Sequence, residues 1–185
     1  MVLERNSMDR LKSNPEAGMG MIELLFACII LVVAALSAIV LIVMAISVNQ
    51  RNKVDTTQTM LAESVIEQVN STIVGSGSSA LKDCAGNTWT SDTAPGGATL
   101  SGSRIDFTQA SPPADYHMEY VVNSPCATTG VRQATYDVRW HVDVVGAPAA
   151  PTNTYLITVG AKRLGARDNV ITEAGPVTLR VMAGN

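Results

Sequence analysis

An unbroken apolar run constrains this chain more than any other feature. Leu24 to Val48 spans 25 residues whose only polar members are Ser37 and Ser47, and it holds no charge, glycine or proline. As a helix rising about 1.5 Å per residue the run is about 37 Å long, enough to cross a hydrocarbon core of roughly 30 Å with some tilt. A secretory signal peptide has an apolar region of only about 7–15 residues with a small-residue cut site after it. This run is longer, and no Ala-x-Ala cut site stands just after it. The competing reading is a fully buried core helix, but the remainder of a 185-residue chain is too small to surround one. The run therefore predicts a single membrane span.

The helix is expected to continue past the membrane. Asn49, Gln50, Arg51, Asn52 and Lys53 mark an interface, and Val54, Leu61, Val65, Val69 and Ile73 then fall on one stripe. Gly75 opens the break Gly-Ser-Gly-Ser-Ser at 75–79. One helix from Met21 to Ile73 would be roughly 80 Å long.

Hydrophobic residues make up 46% of the chain, charged residues 16% and aromatics 4%. Disorder fits poorly, because disordered chains are apolar-poor and charge-rich. The apolar run explains the hydrophobicity but not the scarcity of charge. From Asn49 onward, 137 residues hold ten basic and twelve acidic side chains, still about 16%. With a net charge of −3 and no basic cluster, no nucleic-acid partner is expected.

One carboxylate stands directly before the run, in Gly18-Met19-Gly20-Met21-Ile22-Glu23-Leu24-Leu25. On position alone Glu23 reads as an interfacial residue, since an ionised group within hydrocarbon is costly. The surrounding pattern resembles the class III signal of type IV prepilins and pseudopilins: a glycine, the cut, an apolar residue, a small polar residue, two apolar residues, then Glu. The resemblance implies cleavage after Gly18 by a prepilin peptidase, N-methylation of Met19, and a register role for Glu23 as fifth residue of the mature chain. Glycine offers the peptidase no side chain and a permissive backbone. In a filament core an unpaired Glu is costly, so pairing Glu23 with an N-terminal amine penalises wrong register.

Departures from the family pattern are plain. Met19 stands where Phe is usual and Gly20 where Thr or Ser is usual. In the leader Glu4, Asp9 and Glu16 cancel Arg5, Arg10 and Lys12, whereas family leaders are net basic. Orientation, with the leader in the cytoplasm, rests on the family rather than on a charge count. Many major pilins carry a helix-breaking Pro where this chain has Val40, and no Pro occurs between Pro15 and Pro95. That difference leans towards a minor pilin or pseudopilin.

Residues 75–103, rich in Gly, Ser, Thr and Ala, read as a long connection holding at most a short strand. Period-two alternation follows in five sets: Ile105 and Phe107; Tyr116, Met118, Tyr120 and Val122; Tyr136, Val138, Trp140, Val142 and Val144; Tyr155, Ile157, Val159 and Ala161; and Val177, Leu179 and Val181. This predicts an antiparallel sheet with one buried and one wet face, Asp137, Arg139, His141 and Asp143 lying on the wet one. A helix laid across a sheet of four or five strands covers the buried face. The expected fold is α+β, the pilin fold, with a leader at 1–18, a membrane or filament-core helix at 19–48, its amphipathic continuation at 49–74 and an exported sheet domain at 75–185. Tyr136-Asp137-Val138-Arg139-Trp140 before a second alternating strand resembles the C-terminal part of PilV-type minor pilins. Type II secretion pseudopilins of the I type share a similar pattern.

Cys28 lies in the apolar run and acts as a small apolar residue. In an exported domain Cys84 and Cys126 are expected to bridge, closing a loop of about 43 residues for about 4 kcal/mol; two free thiols are the alternative. There is no His-Glu-x-x-His, Cys-x-x-Cys or glycine-rich phosphate loop. His117 and His141 read as residues of a solvated sheet face, and Asn70-Ser71-Thr72 as a chance sequon on the helix. No catalytic residue, metal or cofactor is expected. The leading reading is a minor pilin that joins or primes a type IV pilus. Its expected partners are major and minor pilins, the prepilin peptidase, the inner-membrane platform with its ATPase, and membrane lipid. Its expected location is the bacterial inner membrane with the C-terminal domain periplasmic, then the pilus surface. The alternatives are a pseudopilin of type II secretion and a signal-anchored periplasmic binding module that never polymerises.

Overall fold

A computed structural model describes residues 19–72, 74, 77–146, 154–165 and 174–184. The chain divides into two units, Met1–Ile46 and Ser47–Asn185. Helix α1, Met19–Asn70, belongs to both. Its 52 residues correspond to about 78 Å of helix. The helix stops three residues before the expected end. Ser71 and Thr72 donate their hydroxyls to the carbonyls of Gln68 (2.8 Å) and Val69 (2.7 Å). These bonds satisfy carbonyls that the end of a helix leaves orphaned. Ile73 and Gly75, expected to extend the stripe and end the helix, lie outside the described residues.

In the first unit the described residues are helical, and from Met21 to Ile46 every side chain is exposed. Leu24, Leu31 and Leu41 are 67%, 69% and 66% exposed, so the apolar surface faces outward all round. By length and composition this is the one helix among the described residues fit to cross a membrane.

The second unit is built on a five-stranded antiparallel sheet. Strands β1 (Ser78–Lys82) and β2 (Thr88–Asp92) form a separate hairpin, followed by β3 (Gly96–Gly97), β4 (Leu100–Ser101) and β5 (Arg104–Ile105). Then come β6 (His117–Ser124), β7 (Val131–Val145), β8 (Thr154–Leu164) and β9 (Val177–Gly184). β7 is the centre. β8 pairs along one edge, with Trp140 opposite Val159, and β9 pairs β8 outside that. β6 and β3 share the other edge, with Met118 opposite Val138 and Gly97 opposite His141. The Pro- and Ala-rich segment between β7 and β8 lies mostly outside the described residues.

Alternation places Tyr136, Val138, Trp140, Val142, Ile157, Val159 and Ala161 on the buried face, as the pattern requires. Val144, expected among them, is 44% exposed next to the end of β7. Val54, Leu61, Ala62, Val65 and Val69 of α1 complete this core. Burying each Val or Leu contributes about 1.5–3 kcal/mol. The protein is thus α+β, a long N-terminal helix whose second half packs on an antiparallel sheet.

Two features depart from the sequence reading. The connection at 75–103 holds the β1–β2 hairpin, β3 and β4, not one short strand. The opposite face of the sheet is also only partly wet. The β4–β5 hairpin and the segment after it lie across that face, burying Asp137 and Arg139 to 8% and 6% exposure. Ile105 packs on Gly160 so closely that a Cβ there would fall 2.8 Å from the Ile105 Cβ. Phe107, expected in a strand beside Ile105, instead stacks on the Arg139 guanidinium at 5.2 Å.

Candidate functional site

The residues singled out from the sequence occupy two separate places. Gly18, the expected cleavage residue, lies outside the described residues. Met19, the expected methylation site, opens α1. Glu23 follows one turn later and is exposed. It is the only carboxylate in α1 before Asp55. The ion pairs found among the described residues, Arg139–Asp137 and His141–Asp143, both lie in the sheet. From Leu24 to Val48 the helix offers only apolar side chains and two serines. Ser37 hides its hydroxyl by donating to the Val33 carbonyl at 2.9 Å, so it brings no unsatisfied polar group into an apolar medium.

Cys84 and Cys126 form the second place, and they are bridged, with Cα atoms 4.7 Å apart. Cys28 is free and exposed. The bridge joins the tip of the β1–β2 hairpin to the β6–β7 loop. Asp83 beside it accepts the Asn87 N–H (2.7 Å), the Asn87 amide (2.8 Å) and the Val121 N–H (3.2 Å). One buried carboxylate therefore closes the hairpin turn and holds it to β6. Burial, followed by the nearby Asp83 charge, pushes the Tyr120 phenol above its ordinary pKa. Burial likewise raises Tyr116, whose hydroxyl donates to the Ala94 carbonyl at 2.9 Å.

The covered face of the sheet carries polar groups that alternation had assigned to solvent. Arg139 pairs with Asp137 at 2.7 Å and donates to the carbonyls of Asp106 (3.2 Å) and Gln109 (2.9 Å). His141 bonds the Ala98 carbonyl at 2.8 Å and Asp143 at 3.0 Å. His117 bonds the Pro113 carbonyl at 2.9 Å. The hydroxyl and then the N–H of Thr108 hold Asp106 below the usual carboxylate range. These groups anchor loops. Among the described residues no three His, Cys, Asp or Glu side chains gather to hold a metal.

Several buried polar residues escaped the sequence reading, Gln58 and Asp83 among them. Gln58 is fully buried in the helix stripe, where the step of seven from Val54 to Leu61 leaves an empty slot. With its amide oriented by its neighbours, it donates to the Gly175 carbonyl (2.9 Å) and accepts the Arg163 N–H (3.1 Å). β9 begins opposite Ala161, so beyond that point Gln58 takes the partner that a strand would supply.

The described residues thus present one exposed apolar helix and a sheet domain cross-braced by a disulfide and side-chain hydrogen bonds. No protein-family model, curated protein or solved structure matches this chain.

Proposed function

We propose that the chain is a structural filament subunit, a minor pilin that joins or primes a type IV pilus. The observation that carries this reading is a fully exposed apolar helix headed by Gly18-Met19-Gly20-Met21-Ile22-Glu23. Such a surface is unstable in water and needs lipid or the equivalent helices of neighbours around it. A membrane anchor that later becomes a filament core meets both needs with the same residues. Cleavage after Gly18 would free the Met19 amine, and Glu23, one turn away, would pair with an amine of its own or a neighbouring subunit. Apolar contacts then supply adhesion, and the buried pair penalises axial slippage. The sheet domain would stand in the periplasm before assembly and on the pilus surface after it. No residue is assigned a catalytic role.

Two measurements test this. Coexpression with a prepilin peptidase should give a mature chain whose intact mass corresponds to N-methylated Met19. An uncut chain, or a cut elsewhere, would overturn the reading. In a piliated host the protein should appear in sheared filaments, and Glu23→Ala should be strongly depleted there. Equal incorporation of Glu23→Ala would remove the register role. Absence from pili together with a secretion defect would point to a pseudopilin instead.

A further inference from the structure

A cleft of about 350 Å³ in the second unit is lined by Gln50, Lys53 and Thr57 of α1 and by Gln133, Tyr136 and Arg163 of the sheet. Lys53 and Arg163 both line it, and among the described residues no carboxylate does. Among the described residues neither Lys53 nor Arg163 makes an ion pair. Asp55, two positions from Lys53, projects from a different side of the helix. Amide and phenol groups beside the cations add neutral hydrogen-bonding capacity.

Position along the chain says what anion would reach this cleft. Gln50 and Lys53 follow Val48, the last apolar residue of the run, by two and five residues. Chain length alone therefore keeps them within about 10 Å of the edge of the apolar run. When that run lies in a bilayer, this is the depth of lipid phosphates. A lysine and an arginine lining one cleft there, with no ion-pair partner among the described residues, favour an anion between them.

We propose that this cleft binds the phosphate of an anionic phospholipid, seating the sheet domain on the membrane from which the helix emerges. The inference rests on the membrane-anchor reading. It adds a lipid preference that an apolar helix alone does not supply.

The test uses the full chain in a neutral detergent, with bound lipid counted by native mass spectrometry. Dioleoyl phosphatidylglycerol should bind more tightly than dioleoyl phosphatidylcholine. The double variant Lys53→Gln, Arg163→Gln should weaken the phosphatidylglycerol complex about thirty-fold at low salt, about five-fold per cation. Arg104→Gln with Arg180→Gln removes the same charge elsewhere and should leave binding unchanged. Equal binding of the two lipids, or equal loss in both double variants, would overturn the proposal. Displacement of phosphatidylglycerol by equimolar inorganic phosphate would make this a free-anion site and also overturn it. Flotation with pure phosphatidylcholine vesicles tests the anchor separately. Wild type and variant should both float; if neither does, the anchor reading fails and the lipid site with it.

Discussion

Gln58 holds a position where an apolar side chain would complete the helix stripe, yet replacing it should weaken the fold. Its amide is the partner of two backbone groups, the Gly175 carbonyl and the Arg163 N–H. Leucine would gain apolar contact but leave both buried and unpaired, and each orphaned group costs about 1–3 kcal/mol. We expect Gln58→Leu to lower the thermal midpoint, followed by tryptophan fluorescence in detergent; an unchanged or raised midpoint would show that water replaces the amide. Tyr120 gives a second check at this scale. Its ionisation is resisted by burial and by Asp83, so its folded pKa lies above its unfolded value near 10. The neutral phenol therefore favours the fold fully below that pH, and the advantage fades as pH rises through the folded pKa. Absorbance at 295 nm should show late-titrating phenols, Tyr116 among them, and Tyr120→Phe should remove one.

Among the elements, the β1–β2 hairpin depends most on contacts distant in sequence. Its strands carry mainly small polar residues, with Leu81 and Ser91 their buried members. It is held at its tip by the Cys84–Cys126 bridge and Asp83, and at its end by Trp140 donating to the Asp92 carbonyl at 3.0 Å. The double variant Cys84→Ser, Cys126→Ser should lose about 4 kcal/mol of stability, on the chain-entropy account of a loop this long. It should also make the hairpin the first site of limited proteolysis. A thiol titration of denatured wild type should find one free group before reduction and three after. The same dependence explains what was legible beforehand. α1 and strands β6 to β9 declare themselves through local periods, four along the helix stripe and two along the sheet. The hairpin has no such period, because its order comes from one bridge and a few remote hydrogen bonds. Asp137 and Arg139 looked solvated for a related reason. Alternation shows which face a side chain takes, not that residues 98–110 fold back over it. The disulfide pairing followed from two cysteines sharing one domain, whereas the turn chemistry of Asp83 and Asn87 beside it left only a weak local trace.

At the scale of the whole molecule, all members of the core cluster fall at Val54 or later, and no residue of the apolar run joins it. The unit from Ser47 onward has its own sheet, disulfide and helix face. Its exposed large apolar residues, such as Met60, Val131 and Met182, are few beside the continuous surface from Met21 to Val48. A fragment of residues 49–185 should therefore be soluble and monomeric without detergent. It should keep the Cys84–Cys126 bridge and melt close to the temperature of the full chain in micelles. If the fragment aggregates or lacks a cooperative transition, the first half of α1 supports the sheet domain after all. If it folds alone, the apolar run carries no share of that domain's stability. Under the proposed function, the run would then pass from bilayer to filament core without disturbing the fold it carries.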